Sequence, residues 1–479
     1  MKDIIICLLL VSLVAGCKPE KKQSPNIILI LADDLGYSDL SVYRNQIKEQ
    51  WKRPSTAQTP NLDQLATEGM RFTDFYCGAA VCSPSRSALI TGRNATRVGI
   101  YNWVPPEQPM HLRDEETTIA EMVKRKGYQT GHFGKWHLTS EGMGQPIPND
   151  QGFDYSFFTY NNAIPSHHNP VNFHRNGEPV GDLEGYSCQL VVDDAIQWLS
   201  RRDTNAPFYI NVWFNEPHEK VAAPDSMKAR HEYHQAYYGA IENMDHAVGR
   251  LMAFLEANGL EKNTIIMFTS DNGSQVKGSD DPLRGRKAFN YEGGIRVPFI
   301  VKWDGQIREG TQSNEPASFT DILPTLSGIV KAELPKKKLD GQDISALFGG
   351  EAESFVRETP LFFYRYFHDP ICMLREGDWV LLGYEELLPY QEIYNTVELA
   401  NLKPDEGEGQ WSMWRFNEIH MEYIRNQQVN AFELYNIRND PGQKEELSEQ
   451  YPERVEEMKA KMLRLKEEMI EEGGDWYDK

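Results

Sequence analysis

The sequence predicts an α/β fold: a large mixed, mainly parallel sheet flanked by helices, followed by a smaller C-terminal subdomain of antiparallel sheet plus helix. Three observations predict it. Short β-prone apolar runs recur at residues 26–32 (NIILILA), 207–214 (PFYINVWF) and 264–269 (TIIMFT), each the length of a strand buried on both faces. Helical patterns lie between these runs, the alternation that a layered sheet with crossover helices requires. After about Ser354 the chain changes to strand-like pieces and then closes with a charged amphipathic helix.

In chain order, residues 4–14 (IIICLLLVSLV) come first. The run is well short of the ~20 residues a membrane-spanning helix needs and has the length of a signal-peptide apolar core. It ends in Leu13-Val14-Ala15-Gly16-Cys17, which resembles the lipobox of bacterial lipoproteins. Residues 1–16 are therefore expected to be a lipoprotein-type signal peptide, Cys17 the lipid-bearing residue and 17–25 a polar tether. The alternative is a plain cleaved signal in which Cys17 is incidental. The expected location is the bacterial cell envelope, exported and lipid-anchored, with membrane contact only through the lipid on Cys17.

Residues 26–354 are expected to form the main domain and 355–479 the C-terminal subdomain. Thr59-Pro60 opens a helix with Thr as N-cap and Pro in the first turn, carrying Leu62, Leu65 and Met70. Further helices are expected over about 118–126 and 234–257. In the C-terminal part, PLFFYRYF, ICMLREGDWVLLGY and FELYNIRNDPG read as strands, the second with a Gly377-Asp378 turn signal. Residues 452–472 place Val455, Met458, Met462, Leu465 and Met469 on a helical rhythm, with the charges expected on a solvated face.

Composition removes several function classes. The formal charge is −21, and binding to nucleic acid would need clustered Lys and Arg. Of six cysteines, Cys7 and Cys17 fall in the signal and lipid site, leaving Cys77, Cys82, Cys188 and Cys372, too few and too dispersed for a disulfide scaffold.

Each apolar run ends in polar residues: Asp33-Asp34, Asn215-Glu216-Pro217-His218, and Asp271-Asn272-Gly273. In open α/β sheets the ligand crevice lies beyond the carboxyl ends of the strands. If the strands are parallel neighbours, Asp33, Asp34, Asp271 and Asn272 converge and repel unless a cation sits between them. Hard oxygen donors suit Ca²⁺ or Mg²⁺ better than Zn²⁺. A single Asp at a strand end is an ordinary turn former, but two such pairs after apolar runs are less easily explained that way. Lys135 and His137 share one face of an extended segment, with Trp136 turned the other way. Lys287 lies in a basic cluster with Arg284, Arg286 and Arg296, a setting that suits an anion.

The stretch VCSPSRSALITGR (81–93) sets Cys82 at a helix start, with Ser83 expected as N-cap, Pro84 in the first turn and Gly92 at the end. Free N–H groups there favour an anion, and Arg86 lies one turn further on, its side chain directed back toward that end. Cys82-Ser83-Pro84-Ser85-Arg86, followed by Leu89-Ile90-Thr91-Gly92-Arg93, resembles the signature of the formylglycine-dependent, Cys-type sulfatases of the alkaline-phosphatase-like superfamily. The resemblance extends to the Asp33-Asp34 strand end, Gly134-Lys135-Trp136-His137, His218, Asp271-Asn272, and Lys287 ahead of Glu292-Gly293-Gly294. It also reaches Glu433-Leu434-Tyr435-Asn436 with Asp440-Pro441-Gly442.

The resemblance implies that residues 26–354 are a sulfatase catalytic domain and that a maturation enzyme oxidises Cys82 to formylglycine. It implies one Ca²⁺ per chain, held by Asp33, Asp34, Asp271, Asn272 and the group made from Cys82. Lys135 and Lys287 would hold sulfate oxygens, and Arg86 would steady the hydrated aldehyde. His218, with Lys287, would protonate the leaving alkoxide, and His137 would take the proton from the second hydroxyl so that sulfate is expelled. The implied substrate is a sulfated carbohydrate, with sulfated galactose or N-acetylgalactosamine of host glycans favoured. Candidate sugar contacts are Tyr160-Asn161-Asn162, His167-His168, His174-Arg175 and the segment from Arg365 to His368. Two alternatives stand beside this reading. One is a phosphatase or phosphodiesterase of the same superfamily, for which a Ser or Thr nucleophile and additional His ligands are expected. The other is a non-catalytic lipoprotein that binds sulfated glycans.

Overall fold

The computed structural model describes residues 24–44, 56–349, 355–385 and 416–477. The expected signal peptide and Cys17 lie outside the described residues. The main domain holds β1 (Asn26–Asp33), β2 (Met70–Phe72), β3 (Phe75–Tyr76), β4 (Gln129–Lys135), β5 (Tyr155–Thr159), β6 (His174–Arg175) and β7 (Glu178–Pro179). It continues with β8 (Phe208–Pro217), β9 (Thr264–Ser270), β10 (Phe299–Lys302), β11 (Thr311–Ser313) and β12 (Ala317–Ser318). Ten of these form one sheet in the order β11-β2-β10-β9-β1-β8-β4-β5-β6-β7.

The three apolar runs are the centre of that sheet. β1 pairs in parallel with β8 on one side and β9 on the other, so that Ile28 lies opposite both Ile210 and Ile266. Ile27, Leu29 and Leu31 enter the core on one face and Ile28, Ile30 and Ala32 the core on the other, which is why the run is apolar without alternation. The register shifts between Leu31 and Asp33, and Asp33 pairs with Pro217. All three strands therefore end at one edge, with Asp33, Pro217 and Ser270 at their tips.

β4 extends the parallel set on the far side of β8 and ends at Lys135. Gly134, at φ 104°, makes this possible: a Cβ there would lie 1.8 Å from the Trp213 carbonyl oxygen. Antiparallel pairing appears where β10 joins β9 and β2, and at the β5-β6-β7 margin.

The predicted helices form as Pro60–Glu68, Ile119–Lys124 and Gln235–Ala257. Met70, assigned to the first of them, begins β2 instead. Nor does Thr59 cap that helix through its side chain. The Asp245 carboxylate takes that role from the neighbouring helix, accepting from the Asn61 and Leu62 backbone amides.

The C-terminal subdomain is a four-stranded antiparallel sheet of β13 (Leu361–Tyr364), β14 (Cys372–Glu376), β15 (Trp379–Tyr384) and β16 (Ala431–Asn436). Gly377, at φ 56°, turns the predicted hairpin. The last helix, Pro452–Gly473, buries Met458, Met462 and Met469. Its charges do more than face solvent: Glu472 pairs with Arg93 and Arg97, and Glu468 with Arg97, fastening the subdomain to the main domain. The cysteines Cys77, Cys82, Cys188 and Cys372 are buried and free. Among the described residues no helix is long and apolar enough to cross a membrane.

Candidate active site

The strand tips gather three carboxylates and three cations. Asp33 accepts from the Lys135 ammonium at 2.6 Å, Asp34 from the Lys287 ammonium at 2.7 Å, and Asp271 from Arg86 Nε at 3.0 Å and Nη2 at 2.8 Å. Asp34 turns the chain at φ 64°, and its amide donates to Asp271 Oδ1 at 3.1 Å. Asn272 Nδ2 donates to Asp34 Oδ1 at 2.7 Å, while its own Oδ1 is buried with no hydrogen-bond partner. Burial alone would raise Asp33, but Lys135, His218, Arg86 and Lys287 together hold its carboxyl well below the usual range. At Asp271 burial and the Asp33 charge push upward, and Arg86 opposes them.

Cys82 opens the helix Cys82–Thr91, which ends at Gly92 in the left-handed conformation as its sequence predicts. The thiol sulfur lies 3.5 Å from Lys287 Nζ, 3.8 Å from Lys135 Nζ and 3.7 Å from Asp33 Oδ1. Burial pushes the thiol up to about 12, against the pull of both lysines. Ser83 is not the N-cap, since extended Val81 holds that position without a side-chain cap. Ser83 Oγ instead accepts from the Val104 amide at 2.9 Å. The Arg86 guanidinium is fully buried, bonded to Asp271 and, through Nη1, to the Lys135 carbonyl at 2.8 Å. There it braces a strand-tip carboxylate and does not line the cavity.

The two histidines have defined tautomers. His137 Nε2–H donates to the Val104 carbonyl at 3.2 Å, which leaves Nδ1 buried, unprotonated and without a partner. The backbone is left-handed here, φ 57°, so the extended segment ends at Trp136, whose ring is buried in a stack against Trp213. His218 Nδ1–H donates to the Glu219 carbonyl at 2.7 Å and turns Nε2 toward Asp34 Oδ2 at 3.5 Å. Burial and Lys287 bring His218 down to about 4, and burial with Lys135 and Arg86 holds His137 well below the usual range.

Cys82, His137, His218 and Lys287 line a cavity of 290 Å³ whose walls include Trp103, Asn161, Asn162, Gln275 and Arg365. Asn162 Oδ1 accepts from Lys135 at 2.8 Å. Of the other expected sugar contacts, His167 is buried near Glu216, His168 stacks on Tyr186, His174 lies edge-on to Tyr160, and Arg175 pairs with Asp194. His368 is buried against Phe289. Trp103 and Gln275 were not singled out from sequence. They stand in loops with no local pattern, and only the fold brings them to the cavity.

Residues 25–332 match the family model described as Sulfatase, and residues 286–411 match the one described as N-sulphoglucosamine sulphohydrolase, C-terminal. The chain belongs to the sulfatase family. It is 35% identical over 397 residues to arylsulfatase A of Homo sapiens, covering 76% of this chain and 74% of that one. It is 31% identical over 379 residues to N-acetylgalactosamine-6-sulfatase of Rattus norvegicus, covering 72% and 68%. A solved structure, Ps i-CgsB in complex with k-i-k-neocarrahexaose, superposes with a TM-score of 0.74 at 25% identity, covering 93% of each chain. As a sulfatase the chain is a sulfuric ester hydrolase, and its mixed sheet with a separate antiparallel unit is the family fold.

Sulfatases generally use a formylglycine and a divalent metal, and the residues present suit both. Asp33, Asp34, Cys82 and His218 offer ligand atoms within 4.8 Å of one another. The orphaned Asn272 Oδ1 adds a buried carbonyl oxygen that a cation would satisfy. Carboxylate and amide oxygens are the donors a hard divalent ion prefers.

Proposed function

We propose that this sulfatase hydrolyses sulfate esters of a carbohydrate, with formylglycine made from Cys82 by a maturation enzyme and one Ca²⁺ held by Asp33, Asp34, Asp271, Asn272 and the residue-82 group. The observation that carries the reading is the placement of Cys82 within 4 Å of Lys135, Lys287 and Asp33, at the floor of a cavity walled by amides and an indole. When present, the hydrated aldehyde supplies the attacking hydroxyl and the cation neutralises sulfate charge as a Lewis acid.

The chain's own residues do the rest. Lys135 and Lys287 place ammonium groups within 4 Å of the residue-82 sulfur, where they bind sulfate oxygens and favour the charge that develops on them. His218 stands at the rim with Nε2 toward the site. An incoming sulfate adds negative charge beside it, favours its cation and makes it the proton donor to the departing sugar oxygen. His137 lines the same cavity and keeps a bare, buried Nδ1. Its ring is fixed by the Val104 carbonyl, so it serves as the base that takes a proton from residue 82 and allows sulfate to leave. Arg86 holds the Asp271 carboxylate in place through two hydrogen bonds and steadies the hydrated aldehyde.

The favoured substrate is a sulfated galactose or N-acetylgalactosamine of host glycans. Similarity to N-acetylgalactosamine-6-sulfatase supports it, together with the amides of Asn161, Asn162 and Gln275, which suit sugar hydroxyls. Export with a lipid on Cys17 belongs to the same proposal, because glycan polymers are met outside the cell. The test is inorganic sulfate release by co-matured protein from defined sulfated mono- and disaccharides, beside the matching phosphate esters. Faster cleavage of the phosphate esters would replace this reading with the phosphatase one. Glycan binding with no release would replace it with the binding-protein one.

A further inference from the structure

We propose that Arg365 binds a second anionic group, a carboxylate or a further sulfate, on the sugar that carries the scissile ester. The proposal rests on the sulfate-ester reading above and narrows it to a substrate class.

Arg365 directly follows β13, and its backbone amide donates a hydrogen bond to the Ile371 carbonyl at 2.8 Å. The side chain is 2% exposed and lines the cavity. Nη1 donates to Asn102 Oδ1 at 3.3 Å, while Nε and Nη2 are buried without partners. A guanidinium carries its donors in a rigid fork that matches a carboxylate or sulfate edge. Here two of the three nitrogens are unsatisfied, and the residue lines the cavity where substrate must lie.

Its charge is anomalous as well. The other deeply buried arginines each meet a carboxylate: Arg86 meets Asp271, Arg93 meets Glu116, Arg97 meets Asp340, and Arg375 meets Asp74. At Arg365 burial pushes the guanidinium down to about 10, and the groups acting against burial are Tyr366 and the Cys82 thiol, with no carboxylate among them. A buried cation without a counter-ion costs several kcal/mol, so a ligand that supplies the missing charge gains what the folded chain lacks. The Lys135 and Lys287 cations are already matched by Asp33 and Asp34, which leaves the Arg365 charge in excess. Sugar hydroxyls would satisfy the N–H groups but not the charge. Because Cys82 and Arg365 line the same cavity, the second anion belongs near the scissile end.

The experiment uses the full chain co-produced with the maturation enzyme and three matched substrates: a sugar monosulfate, the same sugar with a second sulfate, and the same sugar with a uronic carboxylate. Wild type is expected to favour one of the dianionic substrates in kcat/KM by about 10- to 150-fold, mainly through KM, the span of a charged hydrogen bond. Arg365→Gln should erase that preference and Arg365→Lys retain part of it. The arm preferred identifies carboxylate or sulfate. Wild type with no preference for either dianion overturns the proposal whether or not the variants fold. So does an equal loss on all three substrates in Arg365→Gln, which would assign the residue to the scissile sulfate. No release from any ester overturns the sulfate-ester reading and this proposal with it. Release without preference overturns this proposal alone.

Discussion

Replacing Arg86 with methionine keeps an unbranched stem near Trp213 and removes the guanidinium. Three hydrogen bonds go with it, two to Asp271 at 3.0 and 2.8 Å and one to the Lys135 carbonyl at 2.8 Å, all fully buried. Asp271 must then carry its charge unpaired or take up the proton that burial already favours. Breaking a buried pair from one side costs about 3–5 kcal/mol, and the orphaned carbonyl adds roughly 1 kcal/mol. The unfolding free energy of chelator-treated Arg86→Met, from urea denaturation followed by fluorescence, should therefore fall by about 4–6 kcal/mol. Asp271→Asn in the same background removes the stranded charge while keeping an oxygen to accept from the Asp34 amide, and should recover about half of the loss. A single-variant loss below about 1 kcal/mol, or no recovery in the double variant, would refute the argument that Arg86 is there to compensate a strand-tip carboxylate.

Three further outcomes follow from the geometry. His218→Ala should slow hydrolysis of alkyl sulfates by about 10²- to 10⁴-fold and that of nitrophenyl sulfate, with its better leaving group, far less; equal losses would remove the general-acid role. Chelation should abolish turnover, and added Ca²⁺ should restore it and raise the melting temperature, with Asn272→Ala and Asp34→Asn losing that rise; full activity after chelation would remove the cation from the account. His132 is buried against Trp136 and Trp213, and burial and Arg86 lower it to about 3. The unfolded chain then binds the extra proton below pH 6.5, so stability present above 6.5 is lost as pH falls toward 3, by about 2 kcal/mol between pH 7 and 5. His132→Gln should flatten that slope in urea titrations at the two pH values, and an unchanged slope would place the titrating group elsewhere.

Much of this was legible because the central strands advertise themselves. β1, β8 and β9 must be apolar on both faces, and their polar tips name the edge where the site forms. β4 escaped because QTGHFGK has no apolar run: Gly134 is required by the approach of Trp213, and His132 is buried among rings that only the fold assembles. Ser187–Arg201, amphipathic but not singled out, is a second omission. The strands β2, β10 and β11 on the flank of the sheet are three or four residues long, too short to carry a period. Ser83 and Arg86 show a different limit. A capping residue type and a helical spacing identify what a side chain is able to do locally, but Val104 and Asp271, distant in sequence, decide which partner it takes. The tautomers of His137 and His218 depend likewise on carbonyls that no motif records.

The most direct measurement pairs two readouts on one preparation: tryptic mass spectrometry of the Cys82 peptide from co-matured protein, and sulfate release from a sulfated sugar by the same protein beside Cys82→Ala. The account predicts an aldehyde at residue 82 in proportion to activity, and loss of release in the variant. Equal release from protein whose residue 82 is an unmodified thiol, or from Cys82→Ala, would contradict it.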